Sequence, residues 1–527
     1  MGFQRSLEIT LAAAAVSVTL AAPVAGSTSR GPSTPRDPYV LPAADGVQIT
    51  SLLTVDGKLG DGGSASNGYE LVGDPDGLGV MRGPGRDFTL LMNHELGDAQ
   101  GDVRAHGQRG AFVSRWEIDP KTFEVEKGAD FIKAPLRYWN YVTQRYQETP
   151  SPAGDNPRTF GSEQPNITQD DFLAQRATIG RLCSATLTDP GRLYNERTGR
   201  GYFGQIYFAN EEVAVSESRA FGVLEDGTAK QLPRVGLFPS EDTVPAANRS
   251  DTTLVMADED SADGQLRAYV GDKQRRGDGF DRAGLTNGVN YVIDLMDETV
   301  GNDAAFRATY GEGVPAAFDL AEVDWDQPGA AQNAETAAEG LTLSRIEDGV
   351  WDPRNPSDYY FVTTTGGDNR PGLEGGGRDS GGVWRLSFED IEHPQRGGTL
   401  TLLLDGVGGE EDDVRLNEPD NVAMDRRGNL LIQEDPGGNV DRARIVAYQI
   451  HTGELGVVAQ FDAALFSGPT PVLTNNEETS GIINARRVLG RGWWLFDAQV
   501  HRGNTTTLVA EGQLLAMRIK DWSAVYR

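Results

Sequence analysis

Cysteine is almost absent from this chain, since Cys183 is the only one among 527 residues. An intrachain disulfide is therefore excluded as a stabilising device. The residue can serve as a small buried side chain, as a free thiol or as a metal ligand, and its chemistry alone leaves these three uses open. Burial is the commonest of these uses for a lone cysteine, and the polar, glycine-containing turn at residues 180–184 adds some weight to ligation.

Histidine is also scarce, with five residues and no close pair. The chain further lacks a His-Glu-x-x-His pair, a Gly-x-Ser-x-Gly elbow, a P-loop and a dinucleotide-binding fingerprint. Zinc hydrolysis built on imidazoles is therefore not indicated. Any metal chemistry in this protein must use carboxylates, with Cys183 as the one soft donor.

Positive charge is in deficit, since 48 Lys and Arg residues face 78 Asp and Glu residues and the formal net charge is −30. Nucleic acids and anionic membrane surfaces are therefore poor partners, because both attract basic proteins. An acidic excess suits divalent cations, although most of these side chains also fit a solvated, solubilising surface. Such a surface favours a monomer.

Long hydrophobic runs are missing after the N-terminal segment, since none approaches the roughly 18 apolar residues of a membrane span. We therefore expect no stable membrane anchor. Residues 1–25 have the layout of a secretory signal peptide, with Arg5, an apolar run at residues 9–22 and small residues before the end. Without an Arg-Arg pair, the general secretory route is expected. A flexible leader should follow at residues 26–40, and the mature protein should be secreted or periplasmic.

Short apolar runs alternate with turns rich in Gly, Asp, Asn and Pro along the rest of the chain, which contains 65 glycines and 27 prolines. This alternation predicts an all-β fold. The density of strands predicts a single β-propeller over residues 41–527, with a large β-sandwich as the main alternative. Insertions on one rim are expected near residues 138–175, 297–339 and 406–417, the second of them partly helical.

Two segments of the chain follow one template. In residues 347–364, Glu347-Asp348 opens a short apolar run, an Asp-led turn follows, and a second apolar strand completes the segment. In residues 419–435, Asp420-Asn421 opens the same succession. The repeat predicts two equivalent β-hairpins that deliver acidic residues to the same rim of a ring.

Other strand ends carry adjacent polar and acidic side chains: Asn93-His94-Glu95, Asn210-Glu211-Glu212, Asp258-Glu259-Asp260, Glu434-Asp435 and Glu477-Glu478. Adjacent carboxylates repel one another unless they are solvated or share a cation. We therefore expect oxygen-rich ligation of hard cations, calcium first, although no cluster has the EF-hand spacing. Taken singly, each cluster also fits the polar start of a loop.

Arg345 and Glu347 are two residues apart, so in an extended segment they point to the same side. A guanidinium beside a metal-binding carboxylate suits a phosphate oxyanion. The alternative is a surface ion pair, worth well under ~1 kcal/mol.

Taken in order, these elements resemble the PhoX family of exported bacterial alkaline phosphatases. The matching motifs cover most of the mature chain: Asn93-His94-Glu95, the Cys183 turn, Asn210-Glu211-Glu212, Asp258-Glu259-Asp260, Arg345-x-Glu347-Asp348, Pro419-Asp420-Asn421, Glu478-Thr-Ser-Gly481 and Gln499-Val-His501. Each motif is weak alone, and the ordered set is fairly specific.

The resemblance implies a six-bladed propeller with ferric iron and calcium on its axis, which hydrolyses small phosphomonoesters. It implies that Arg345 and Asn93 hold the substrate phosphate. It also implies a set of metal ligands, with Cys183 and Glu347 on the iron side: Cys183, Glu211, Glu259, Asp260, Glu347, Asp420, Glu434 and Glu478.

Two other functions remain open. One is a propeller hydrolase that acts on phytate, phosphodiesters or lactones, and the other is a non-enzymatic calcium-binding module. Cys183 together with Arg345 discriminates between them and a phosphatase, because a simple calcium-binding propeller has no use for a thiolate beside an anion-binding arginine.

Overall fold

The computed structural model describes residues 26–60, 62–141, 143–148, 178–214, 216–365, 381–406, 416–437 and 441–526. The proposed signal peptide and parts of the expected insertions, residues 149–175 and 407–415, lie outside this part of the chain. Four consecutive acidic residues of the third insertion, Glu410 to Asp413, are among the residues outside it. The described residues contain these strands in chain order: β1 Ser27–Arg30, β2 Val40–Pro42, β3 Val47–Thr54, β4 Pro75–Arg82, β5 Phe88–His94, β6 Phe112–Ile118, β7 Val125–Asp130, β8 Lys133–Asn140, β9 Arg145–Gln147, β10 Leu182–Leu187, β11 Leu193–Asn195, β12 Arg200–Tyr202, β13 Ile206–Glu211, β14 Ala220–Leu224, β15 Thr228–Gln231, β16 Ser240–Pro245, β17 Thr252–Glu259, β18 Gly264–Gln265, β19 Arg267–Asp272, β20 Val289–Leu295, β21 Ala316–Val323, β22 Thr342–Leu343, β23 Ile346–Trp351, β24 Asp358–Thr363, β25 Gly382–Phe388, β26 Gly398–Asp405, β27 Pro419–Met424, β28 Asn429–Glu434, β29 Arg444–Gln449, β30 Leu455–Phe461, β31 Glu477–Asn484, β32 Trp493–Val500 and β33 Glu511–Ile519.

Helices are short and few in the described residues: α1 Gly279–Ala283, α2 Asp303–Thr309, α3 Gly329–Glu339, α4 Ala463–Phe466 and α5 Arg486–Leu489. The all-β prediction is confirmed, and α2 and α3 lie in the insertion expected to be partly helical. That insertion also contains β21, which pairs with β20 and β26 and so joins two groups of strands into one nine-stranded sheet. No helix of the described residues is long and apolar enough to cross a membrane.

Six antiparallel strand pairs organise the described chain: β4 with β5, β10 with β13, β16 with β17, β23 with β24, β27 with β28, and β31 with β32. The first strand of each pair, here called an inner strand, contacts the inner strands of the pairs before and after it. β31 in turn contacts β4, so the inner strands close into a ring. The two template hairpins are the pairs that begin with β23 and β27, and their predicted equivalence is confirmed.

The ends of the chain meet in this ring. β3, near the N-terminus, pairs with the C-terminal β33, and β2 pairs with β30. β1 pairs in parallel with β3, from Ser27 opposite Gln48 to Arg30 opposite Ser51. Residues 27–30 of the expected flexible leader are thus held in a sheet, because the exposed edge of β3 offers backbone groups for pairing.

Apolar side chains of the sheets are buried on both faces. On β5, Leu90 and Met92 pack with Leu495 and Leu514 of the group before it. Leu91, between them, packs in the opposite direction with residues of the β10 group such as Tyr207. Since successive side chains of a strand point to opposite faces, this alternation places each sheet between two neighbours.

Every inner strand has a bulge near its beginning or middle. The pairing register of β10 with β13 shifts between Leu182 and Ala185, and the register of β23 with β24 shifts between Ile346 and Gly349. Shifts at equivalent places occur in β4, β16 and β27, and β31 has one between Ser480 and Ile483. A bulge adds one unpaired residue and turns the local side chains away from the regular alternation. The residues at the first five bulges include Asp76, Cys183, Glu241, Glu347 and Asp420, and these side chains meet at one end of the ring.

Candidate metal centre

A cavity of about 510 Å³ lies at the end of the ring where the inner strands begin. Nine carboxylates line it: Asp74, Glu95, Glu212, Glu241, Asp260, Glu347, Asp420, Asp435 and Glu478. Cys183, His501 and two arginines, Arg181 and Arg345, complete its ionisable lining. Negative charge therefore exceeds positive charge strongly in a partly enclosed space.

The acidic side chains form a connected series of potential ligand sets. Asp76, Glu95 and Cys183 bring one ligand atom each within 4.8 Å of one another. The same criterion links three further sets, each of which shares a member with the one before: Cys183–Glu212–Glu241, Glu241–Glu347–Asp420 and Asp420–Asp435–Glu478. One end of the series contains sulfur and oxygen donors, and the other contains oxygen donors alone.

Cys183 is buried, and its Sγ lies 3.3 Å from Oδ2 of Asp76. Burial raises the pKa of the Cys183 thiol, and the nearby carboxylates of Asp76 and Glu241 raise it further. Without a cation, the sulfur therefore keeps its proton. A bound metal would reverse this preference, because a coordinating thiol loses its proton outright.

Several carboxylates of the cavity also have raised pKa values. Burial raises the pKa of Asp74 to about 7 and that of Glu212 to about 8. It also raises the pKa values of Glu241, Glu347 and Asp420 well above their usual range, and neighbouring carboxylates add to each shift. Charged groups withdrawn from water need compensation by opposite charge, and two arginines among nine carboxylates supply little of it.

The two arginines are held by carboxylates of the cavity. Arg345 donates from Nε and Nη2 to the two oxygens of Asp260 at 2.9 and 3.0 Å, and its Nη2 lies 2.8 Å from Glu347. Arg181 donates from Nε and Nη2 to Glu212 at 3.1 and 2.7 Å, and also pairs with Glu95. Both guanidinium groups are thereby fixed in orientation at the wall of the cavity.

A backbone feature recurs two residues before several of the bulge side chains. Arg181 precedes Cys183 with φ of 35°, and Arg345 precedes Glu347 with φ of 55°. Asp74 and Glu418 take the same left-handed conformation before Asp76 and Asp420. This conformation is strained for residues other than glycine, by about 1–3 kcal/mol each. Its recurrence shows that one local turn sets the direction of the side chain that follows.

Six of the residues predicted from the sequence meet in the cavity: Cys183, Asp260, Arg345, Glu347, Asp420 and Glu478. The expected contact between Arg345 and Glu347 is present.

Glu211, Glu259 and Glu434 are not brought into the cavity. Each is a buried strand-end residue that accepts hydrogen bonds from an arginine at or just before the start of the strand it pairs with, at 2.6 to 2.9 Å: Arg219, Arg267 and Arg444, respectively. The residue after each of them, Glu212, Asp260 or Asp435, faces the cavity instead. The alternation of side chains at a strand end explains this exchange, since neighbouring residues point in opposite directions.

Asn93 is fully buried and does not line the cavity. Its Nδ2 donates to the carbonyl oxygens of Cys183 at 2.7 Å and Ser184 at 3.1 Å, and its Oδ1 accepts from the hydroxyl of Tyr207 at 2.9 Å. The side chain therefore holds the bulge that carries Cys183.

Four residues of the site were missed by the sequence reasoning: Asp74, Arg181 and Glu241, which line the cavity, and Asp76, which belongs to a ligand set with Cys183. Two of them had a usable signal. Arg181-Leu-Cys183 repeats the spacing of Arg345-Ile-Glu347, and Glu241-Asp242 repeats the polar pair that opens the template hairpins. Asp74 and Asp76 had none, because aspartates next to glycine and proline are ordinary turn chemistry.

Comparison with known proteins identifies a matching family and a solved structure of similar fold. The family model described as alkaline phosphatase PhoX matches residues 224–485. Among curated proteins, no relative matches the chain. The structure of Pseudomonas fluorescens PhoX in complex with vanadate, a transition state analogue, aligns with a TM-score of 0.60 at 14% identity, over 91% of this chain and 96% of that one.

Two other solved structures align less well. The periplasmic gluconolactonase PpgL of Pseudomonas aeruginosa gives a TM-score of 0.33 at 10% identity, over 84% of each chain. The BP39L lectin of Burkholderia pseudomallei gives 0.32 at 11% identity, over 82% of this chain and 93% of that one. At these scores, neither likeness bears on function. The family match and the fold shared with the solved PhoX structure confirm the resemblance predicted from the sequence: the chain is a member of the PhoX family of alkaline phosphatases.

Proposed function

We propose that the protein is an exported, metal-dependent alkaline phosphatase that hydrolyses small phosphomonoesters, built as a six-bladed β-propeller with iron and calcium in the acidic cavity. One observation carries the proposal: a thiol and nine carboxylates converge in a cavity whose only guanidinium groups among the described residues are Arg181 and Arg345. The closed ring of six inner strands supports the propeller. The signal-like residues 1–25 support export, and the acidic surface supports a monomer.

The donor atoms fit such metals. Oδ1 of Asp420 is buried and makes no hydrogen bond to the described residues, which is costly for a carboxylate unless a cation binds there. The set of Cys183, Glu212 and Glu241 combines a soft sulfur with hard oxygens and suits ferric iron. The all-oxygen sets around Glu347, Asp420 and Glu478 suit calcium.

Bound metals would act as Lewis acids that offset the negative charge of a phosphate ester. The chain itself would orient the ester through Arg181 and Arg345. In both arginines, Nε and Nη2 are bound to carboxylates, and Nη1 makes no hydrogen bond to the described residues. We propose that the two Nη1 groups donate to phosphate oxygens, since guanidinium groups bind oxyanions with defined geometry.

Asp260 and Glu212 would then serve as positioning residues, because their bonds to the arginines fix the direction of each free nitrogen. Asn93 would hold the Cys183 bulge rather than contact substrate. The solved PhoX of Pseudomonas fluorescens contains vanadate, a transition state analogue, which supports the binding of a phosphate-like group in the corresponding fold.

Metal analysis combined with activity on a chromogenic phosphate monoester at alkaline pH tests this function. We expect iron and calcium in the purified protein, phosphate release that chelators abolish, and loss of iron and activity in Cys183→Ser with the fold retained. A protein that binds calcium without iron and releases no phosphate would be a calcium-binding module. Turnover confined to phytate, a phosphodiester or a lactone would replace the phosphomonoesterase reaction.

A further inference from the structure

A second and larger cavity, of about 1160 Å³, lies along the later parts of the same inner strands. On β10 the boundary between the two cavities falls at the bulge, since Cys183 lines the acidic cavity and residues 184–187 line the second one. On β23, Glu347 lines the first and residues 348–351 line the second. β16, β27 and β31 divide in the same way. At β4, Asp74 just before the strand lines the first cavity and residues 78–80 line the second, so the two cavities lie towards opposite ends of the ring.

The second cavity is lined mainly by basic residues, although the chain as a whole is acidic. Nine of its lining residues are arginine or lysine, against four aspartates, although the whole chain has a net charge of −30. Arg354, Arg426 and Arg427 come from the hairpin turns after β23 and β27, and Arg491 comes from the turn before β32. Cations from separate strand pairs therefore surround one space.

Most of these cations form no ion pair with the described residues, and the guanidinium of Arg518 lies over the ring of Trp493. Among the nine, only Arg487 forms an ion pair, with Asp189. Arg192, half-buried in the wall, makes neither an ion pair nor a side-chain hydrogen bond there. The arginines of the acidic cavity, by contrast, are all paired with carboxylates.

Of the four aspartates, Asp189 pairs with Arg487, and the other three accept hydrogen bonds within the framework, Asp242 from Thr186 and Thr243. Asp425 accepts hydrogen bonds from the backbone of Arg427 and from the backbone and side chain of Asn429, as a turn residue does. Asp348 accepts from the backbone nitrogens of Gly349 and Val422. Their oxygens are thus used within the framework, and most of the basic residues that line the space have no carboxylate partner among the described residues.

We propose that this basic cavity is a second ligand site, separate from the metal centre, that binds a compact anion carrying several phosphate or sulfate groups. Guanidinium groups recognise such oxyanions through paired N–H donors. Cations spread over several turns match a ligand with several charged groups better than one with a single group. The volume exceeds that of an ordinary small-molecule pocket, roughly 300–1,000 Å³, and so admits such a ligand.

Calorimetric titration of the metal-loaded protein at physiological salt tests the proposal. The probe is myo-inositol hexakissulfate, which a phosphomonoesterase cannot hydrolyse, and methyl sulfate is the singly charged comparison. The test variant is Arg354→Ala/Arg426→Ala/Arg491→Ala. Its matched control is Arg145→Ala/Arg249→Ala/Arg276→Ala, which removes the same charge from exposed arginines outside the cavity.

We expect the hexakissulfate to bind the wild-type protein and the control variant alike, and methyl sulfate to bind neither. Exposed charge contacts contribute up to ~1 kcal/mol each, about fivefold in affinity, so the test variant should bind on the order of 100-fold more weakly. Its activity on a chromogenic phosphate ester should be unchanged. Repeating the titration with inositol hexakisphosphate, while measuring released phosphate, distinguishes phosphate from sulfate as the preferred group.

Three results would overturn the proposal: no binding of either inositol ester by the wild-type protein, equal weakening in the test and control variants, or equal affinity for methyl sulfate. None of these three results depends on whether the protein hydrolyses phosphate esters. The second ligand site and the proposed phosphatase function can therefore fail independently.

Discussion

Glu211 and Glu212 are adjacent in the chain and are assigned opposite roles, which makes them a matched pair for mutagenesis. Glu211 accepts from Arg219 at 2.7 and 2.6 Å, and both side chains are buried. Loss of one partner of a buried pair leaves the other charge uncompensated, at a cost of about 3–5 kcal/mol. Glu211→Gln should therefore lower the free energy of unfolding by roughly that amount. The metal bound per folded protein should not change.

Glu212→Gln should have the opposite effect: bound metal should be lost, and the free energy of unfolding should change little. Burial raises the pKa of Glu212 to about 8, so its charge is a burden to the metal-free fold and removing it costs little stability. The variant should lose bound metal, because Glu212 belongs to the ligand set with Cys183 and Glu241. Urea unfolding of the metal-free variants, together with metal analysis of the purified ones, measures both quantities. A Glu211→Gln protein of normal stability that has lost metal would refute the assignment.

Three further predictions follow from the site. Arg345→Ala should raise KM for a chromogenic phosphate ester by at least about tenfold, the value of one charged hydrogen bond, with metals retained; an unchanged KM would remove its phosphate role. Asn93→Ala should destabilise the protein by about 1–3 kcal/mol, because two carbonyls and a hydroxyl lose their partner, and a changed KM with unchanged stability would contradict a purely structural role. Metal-free protein should lose stability as pH rises from about 4 to 8, because the raised pKa values of Asp74 and Glu212 make the folded state hold protons that the unfolded state releases. Urea midpoints at pH 5 and pH 8, with chelator and with metals, measure this; a higher midpoint at pH 8 in chelator would show that these carboxyls do not titrate as stated.

The fold was largely readable from the sequence because its signals are local. The alternation of short apolar runs and turns predicted strands, and the polar pairs Glu347-Asp348 and Asp420-Asn421 marked two equivalent hairpins. The spacing of Arg345 and Glu347 also predicted their contact correctly. Each of these inferences depends on residues that are close together in the sequence.

The direction of individual side chains was not readable in the same way. A shift of one residue moves a side chain to the other face of a strand, and nothing in the sequence marks the strand ends so finely. Glu211 was therefore chosen where Glu212 faces the cavity. Bulges add a second uncertainty, because their extra residue is set by pairing with a distant strand.

The basic cavity could not be predicted from the net charge of the chain, because it is formed by residues that are distant in the sequence. The total of −30 indicates a protein that avoids polyanions. Arg354, Arg426 and Arg491 are far apart in the chain, and only the closed ring of inner strands brings their turns around one space. Average composition cannot report such a segregation of charge.

Anomalous diffraction from crystals of the metal-loaded protein, measured at the iron absorption edge and at a wavelength sensitive to calcium, tests the central claim most directly. The account predicts iron peaks at bonding distance from Sγ of Cys183 and calcium peaks among the carboxylates of Glu347, Asp420 and Glu478. A cavity without anomalous peaks, or metal bound only at surface carboxylates such as Asp87, Asp119 and Glu126, would contradict it.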